Sequence, residues 1–235
     1  MRDETPPSHL EFPARMVQHS GREEGHMTDE IVFHHNPMSR GRIVHLMLEE
    51  VGAPYRIELR SFEKRDHKSP EYLAINPMGK IPAIEHRGMV VTEAAAICAY
   101  LADAFPEARL APALDDPARG TYLRWLFFAA ACLEPALVDR MLNRPPADEA
   151  GRVGYGTYEK TLDVLEGALT PGPFLLGDRF SAADVFIGSH IGFGFRANSL
   201  EPRPVFVAYY ARIGERPAFK RMVAQNVELV AKLKR

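Results

Sequence analysis

The hydrophobic periodicity of this chain changes once, near residue 120, and does not change back. Before that point, short β-branched runs alternate with amphipathic stretches; after it, the apolar spacing is helical throughout. Glu30 to His35 (EIVFHH) reads as a strand. Asn36-Pro37-Met38-Ser39 is a turn, and Ile43, Val44, Met47, Leu48 and Val51 form the inner stripe of a helix over Arg40 to Val51. Gly52 stops that helix and Pro54 blocks re-entry. Tyr55 to Arg60 alternates as a second strand, and PEYLAI (Pro70 to Ile75) is a short helix with proline at its first position. NPMGKIP is a second loop built on Asn-Pro-Met. Two strands flank His86-Arg87-Gly88, and Thr92 and Glu93 open a helix that runs through Phe105.

The resulting order, β-α-β-α-β-β-α, requires a parallel pair joined by a helical crossover and an antiparallel hairpin. Pro106 to Gly120 holds three prolines and no periodicity, which marks a linker. Helices are predicted over Thr121 to Asn143 with a bend at Pro135, Gly151 to Thr170, Ser181 to Phe195, Val205 to Ile213 and Pro217 to Leu233. The fold class is therefore α/β plus all-α: a domain over 27–105, a linker over 106–120 and a helical domain over 121–235. Residues 1–26 are polar, aperiodic and without the apolar run of a signal peptide, so they are read as a disordered extension. Met27, where the pattern begins, is a candidate translation start.

Composition excludes several functions. With 235 residues and a formal net charge of -2, there is no electrostatic case for nucleic acid or an anionic membrane surface. Apolar residues make up 46% of the chain, yet no apolar run reaches the length of a membrane span. The two cysteines, Cys98 and Cys132, show neither metal spacing nor CxxC spacing, a usage that fits a reducing, cytoplasmic compartment.

Three stretches carry a family resemblance: NPMGKIPAI (Asn76 to Ile84), VVTEAAAICAYLADAFP (Val90 to Pro106) and GDRFSAADVFIG (Gly177 to Gly188). In this order and spacing, over Met27 to Arg235, the chain resembles a cytosolic glutathione transferase of bacterial type. The resemblance implies a thioredoxin-like first domain, an all-helical second domain, a homodimer and a detoxifying conjugation of glutathione to small electrophiles. It implies a cis peptide at Ile81-Pro82, with the Ile81 backbone pairing with the cysteinyl part of glutathione as an added strand does. It also implies that Lys80 faces the glycyl carboxylate, that Glu93 takes the γ-glutamyl ammonium, and that the Ala94 N–H, at a helix start, takes its carboxylate. The family usually has serine where Ala94 stands. One hydrogen bond to a charged group, worth about 1.5–3 kcal/mol, is therefore missing. Ser181 and Asp184 form a capping box with a structural role, and Ser181→Ala should cost about 1 kcal/mol.

The reacting group is glutathione's own sulfur, which must be a thiolate. Lowering a thiol pKa by two units needs about 2.7 kcal/mol. A helix N-terminus supplies about 0.3–1 kcal/mol, up to about 2 when partly buried, and a donated hydrogen bond about 1.5–3. Subgroups of the family place Tyr, Ser or Cys after the first strand. Here the hydroxyl in that stretch is Ser39, one residue later than in theta- or zeta-like enzymes, and Arg40 lies near the cysteine of beta-like ones. Ser39 is the first candidate, Arg40 the second and His35 the third. Ser39 is equally suited to capping the helix through Gly41 or Arg42. Trp125, Phe128 and Cys132, with Tyr155 or Tyr158, are candidates for the second-substrate wall. Phe193 and Phe195 rank no higher. Other glutathione reactions (disulfide or peroxide reduction, isomerisation) and a non-catalytic binding module remain open alternatives, the last favoured by Ala94.

Overall fold

The computed structural model describes residues 29–146 and 148–234. The predicted extension over 1–26 and the start at Met27 lie outside the described residues. The first domain is a four-stranded sheet in which β1 (Ile31–His35) pairs in parallel with β2 (Tyr55–Leu59) and antiparallel with β3 (Ala83–His86), which pairs antiparallel with β4 (Met89–Thr92). Helices α1 (Gly41–Val51), α2 (Pro70–Ile75) and α3 (Ala94–Ala104) complete it. The apolar stripe of α1 buries Ile43, Val44, Met47 and Leu48, and Gly52 closes the helix in the left-handed region at φ 69. Ser69 caps α2 by accepting the Tyr72 N–H at 3.3 Å, with Pro70 at the first position.

The second domain comprises α4 (Ala118–Phe128), a π-helical turn (Ala129–Leu133), α5 (Glu134–Met141), α6 (Tyr158–Leu169), α7 (Ala182–Arg196), α8 (Pro204–Gly214) and α9 (Pro217–Leu233). Two helix starts differ from the sequence reading by three residues or more, and the predicted bend takes its own form. Helix α4 starts inside the predicted linker, because the Asp116 carboxylate accepts the Ala118 N–H at 2.8 Å and Pro117 leads into the first turn. The predicted bend at Pro135 takes the form of a wide turn just before it, since proline has no N–H to give to the preceding turn. Helix α6 starts at Tyr158 rather than Gly151. Gly156 sits at φ 71, and Thr157 takes the cap and accepts the Lys160 N–H.

The run Ala118–Met141, 24 residues, is long and apolar enough by length and composition to cross a membrane, contrary to the sequence reading. Adding the wide turn to its flanking helices creates that length, and its side chains Tyr122, Trp125, Leu126, Ala129 and Leu133 are buried in protein core. One continuous core spans both domains, from Phe33 and Val44 through Ile97 and Leu101 to Leu165 and Ile187. The α7 capping box goes deeper than a cap. Asp184, fully buried, accepts the Ser181 N–H and hydroxyl, the Leu175 N–H and the Tyr209 hydroxyl at 2.7–2.9 Å.

Candidate functional site

The two Asn-Pro-Met loops share one construction. The Asn36 carboxamide oxygen accepts the Met38 N–H at 2.8 Å, and that of Asn76 accepts the Met78 N–H at 3.1 Å. Each asparagine amide then donates to a carbonyl that fixes the next piece of chain, Arg60 for Asn36 (2.7 Å) and Lys80 for Asn76 (2.9 Å). Both asparagines are buried, so these local bonds satisfy groups that water does not reach.

The second loop, with Glu93 and the start of α3, borders a cavity of about 370 Å³ at the domain junction. Lys80, Ile81, Pro82, Glu93 and Ala94 all line it, so the five residues assigned from sequence to glutathione meet in one place. The Ile81–Pro82 peptide is cis. The sheet ladder begins only at Ala83, which leaves the Ile81 peptide groups outside it. Glu93 precedes α3 with φ 64 and ψ 118, a strained conformation for a residue with a side chain. The first bond of α3 runs from the Ile97 N–H to the Glu93 carbonyl at 2.9 Å, so the Ala94 and Ala95 amides at the cavity wall lie outside the helical ladder. No side-chain cap from Thr92 is formed; Glu93 holds that position instead.

Ser39 caps the first turn. Its hydroxyl donates to the Asn36 carbonyl at 2.7 Å and accepts the Gly41 N–H at 2.9 Å. A hydroxyl has one proton, and this one is already committed to a carbonyl. Arg40 is placed differently. Its Nε donates to Glu134 Oε1 at 2.7 Å, its guanidinium lies 3.6 Å from the centre of the Phe193 ring, and it lines both this cavity and the next one. His190 completes the group, with Nε2 3.2 Å from Glu134 Oε2 and Nδ1 2.8 Å from the Phe186 carbonyl. Burial alone would raise the Glu134 carboxyl, but His190 and Arg40 together hold it down at about 2.

His35 is fully buried and turned away from both cavities. Its Nε2 lies 2.9 Å from Asn226 Oδ1 on α9, and Asn226 Nδ2 lies 2.8 Å from His45 Nδ1. Burial pushes the His35 imidazole down to about 3. Its Nδ1 faces Gly41, where an added Cβ would sit 2.4 Å away, so glycine is required for α1 to start against this ring.

A second cavity, of about 440 Å³, lies between the start of α1 and helices α7, α8 and α9. Ser39, Arg40, Phe193, Tyr210 and Phe219 line it. Gly192 admits the Tyr210 ring, since a Cβ there would stand 2.4–2.7 Å from it. None of the three residues assigned from sequence to the second substrate is there. Trp125 is 3% exposed and packs in the core against Phe128, and Cys132 Sγ faces the Gly154 carbonyl at 3.8 Å. Tyr155 and Tyr158 bond Asp139 and the Ser199 carbonyl and line a separate, smaller cavity. Phe193, ranked no higher from sequence, is the aromatic residue beneath Arg40.

The comparisons with known proteins bear on the fold and the family. Residues 30–103 match the family "Glutathione S-transferase, N-terminal domain" and residues 135–212 match "Glutathione S-transferase, C-terminal domain". Glutathione S-transferase A of Pleuronectes platessa is 32% identical, over 75% of this chain and 83% of the relative. GstA of Escherichia coli O157:H7 is 28% identical over 74% and 87%. Among solved structures, a glutathione transferase from Methylococcus capsulatus str. Bath superposes with a TM-score of 0.70 at 26% identity, covering 83% of this chain and 98% of that one. A family member from Pseudomonas fluorescens Pf-5, solved with two glutathione bound, superposes at 0.67 with 28% identity, over 83% and 92%. With both halves of the fold matched and a relative of this identity covered over most of its length, the chain belongs to the glutathione S-transferase family.

Proposed function

We propose that this glutathione transferase holds the sulfur of glutathione beside Arg40 and transfers it to a small electrophile seated in the cavity between α1 and α7. The observation that carries this reading is that Arg40 lines both cavities, so it stands where a peptide thiol in one would meet an electrophile in the other. A guanidinium next to the sulfur favours the thiolate and donates to it without giving up a proton of its own. Glu134 and the Phe193 ring fix the direction of that guanidinium. Ser39 is left a supporting role: it shapes the turn that presents Arg40.

In the first cavity Lys80 takes the glycyl carboxylate, the Ile81 backbone the cysteinyl peptide, and Glu93 with the Ala94 N–H the γ-glutamyl end. In the reaction the sulfur lone pair forms a bond to the electrophilic carbon, the leaving group departs with its electron pair, and the thiol proton has already gone to solvent. The protein acts as a homodimer in the cytoplasm. Exposed Phe62, Met89 and Val90 on the first domain supply apolar surface for a second copy, and the free cysteines Cys98 and Cys132 fit a reducing compartment.

Ultraviolet absorbance of the thiolate in the glutathione complex, followed against pH, tests the assignment. Arg40→Met should raise the apparent thiol pKa and lower kcat/KM for an aryl halide by about 10- to 100-fold, as loss of one charged donor does. Ser39→Ala should leave the thiol pKa in place. The opposite pattern would give the role to Ser39.

A further inference from the structure

Three arginines line the second cavity, and among the described residues only Arg40 has a carboxylate partner. Arg40 is paired with Glu134. Arg42, on the first turn of α1, and Arg196, in the last turn of α7, lie close enough that burial and the Arg196 charge together push the Arg42 guanidinium below its ordinary value. Among the described residues neither has a carboxylate within ion-pair distance, and no Asp or Glu lines the cavity. Two like charges facing one cavity repel each other, and an anion bound between them relieves that repulsion. The rest of the lining is mostly apolar, with the Phe193, Tyr210 and Phe219 rings, Met38 and Met222, and it includes the polar side chains of Ser39, Ser189 and His190.

We propose that this cavity selects electrophiles that carry a carboxylate on an aromatic body, the carboxylate held by Arg42 and Arg196 and the body lying against Phe193 and Tyr210. The inference rests on the proposed function and names its substrate class. Guanidinium groups suit it because each offers a planar fork matching the two carboxylate oxygens. The ring packs on apolar walls, with its electrophilic carbon directed toward Arg40, which lines both cavities. With a chloro-nitrobenzoate, the thiolate sulfur bonds to the ring carbon that bears chlorine, and chloride leaves with the bonding pair. The carboxylate takes no part in the bond change.

The experiment compares a chloro-nitrobenzoate with the matching uncharged chloro-nitrobenzamide, each rate divided by its uncatalysed reaction with glutathione. The intact protein should prefer the benzoate in kcat/KM by about tenfold or more at low ionic strength, and less as salt is added. The preference should fall to about 1 when both arginines are neutralised (Arg42→Gln with Arg196→Gln), and a single Arg196→Gln, at an exposed position, should give an intermediate value. Arg42→Lys, which keeps the charge, should retain part of it. Equal use of both compounds by the intact protein, or a preference that survives the double substitution, overturns the charge selection and leaves the proposed function standing. Failure to conjugate either compound while glutathione binds overturns both. Calorimetry with glutathione alone should give one site per chain. Two sites per chain, the second lost in the double variant, would assign the arginines to a second glutathione and overturn the inference.

Discussion

Arg40 Nε and Glu134 Oε1 lie 2.7 Å apart across the domain junction, joining the start of α1 to the start of α5. The pair, with His190 behind it, holds the Glu134 carboxyl at about 2 against an ordinary value of 4.5. A carboxyl with a lowered folded-state pKa contributes stability that is fully present above 4.5 and is lost as pH falls toward 2. Glu134→Gln should therefore flatten the dependence of stability on pH in that window and leave the slope above pH 5 unchanged. Urea midpoints of the two proteins at matched pH values measure this; parallel curves between pH 4.5 and 3 would count against the pairing.

Ser39→Ala should cost about 1 kcal/mol of stability, because it removes a bond to the Asn36 carbonyl and one from the Gly41 N–H. The rate with saturating glutathione should fall by less than about fivefold, since the serine acts by shaping the turn. Denaturant titration and initial rates on the same preparation separate the two effects.

The proposed glutathione side of the site was legible in the sequence because Lys80, Ile81, Pro82, Glu93 and Ala94 come from two short segments whose loop and helix-start patterns are local. The boundaries that failed were also local, but they depended on a competing cap, as with Asp116 ahead of α4 and Thr157 ahead of α6. Glu134, His190 and Phe193 were missed for a different reason. They meet Arg40 only after the helical domain packs on the first, and nothing in an apolar helix pattern distinguishes a side chain at the junction from one in the core. Trp125 shows the converse, since a large aromatic residue at helical spacing reads the same in a core, where this one packs, as in a pocket wall.

Gly41→Ala should destabilise the protein by about 1–3 kcal/mol, because a methyl group 2.4 Å from His35 Nδ1 forces α1 off the β1 end. The same displacement moves Arg40, so kcat/KM should fall along with the thermal midpoint. Retained stability with retained rate would show that the α1 start has room that the geometry denies it.

Asn226 joins His35 to His45 over more than 180 residues of sequence, tying α9 to the first domain. Asn226→Ala leaves both imidazoles with buried, unpaired nitrogens and should cost about 2–4 kcal/mol for the pair.

The same histidines set an acid limit separate from that of Glu134. Burial pushes His35 down to about 3, so it is held neutral in the fold, and lowers His45 in the same direction, whereas the unfolded chain protonates both near 6.5. The unfolded state binds more protons below that value, so stability falls as pH drops from 6.5, by up to about 1.4 kcal/mol per pH unit for each histidine. Between pH 6.5 and 5.5 Glu134 stays largely ionised in both states and contributes little slope. His35→Gln should remove about one proton's worth of slope in this interval, while Glu134→Gln should remove little. Urea midpoints measured at half-unit steps resolve the two. An unchanged slope in His35→Gln would mean that the buried imidazole is already charged, and its bond to Asn226 Oδ1 would then be a charged one.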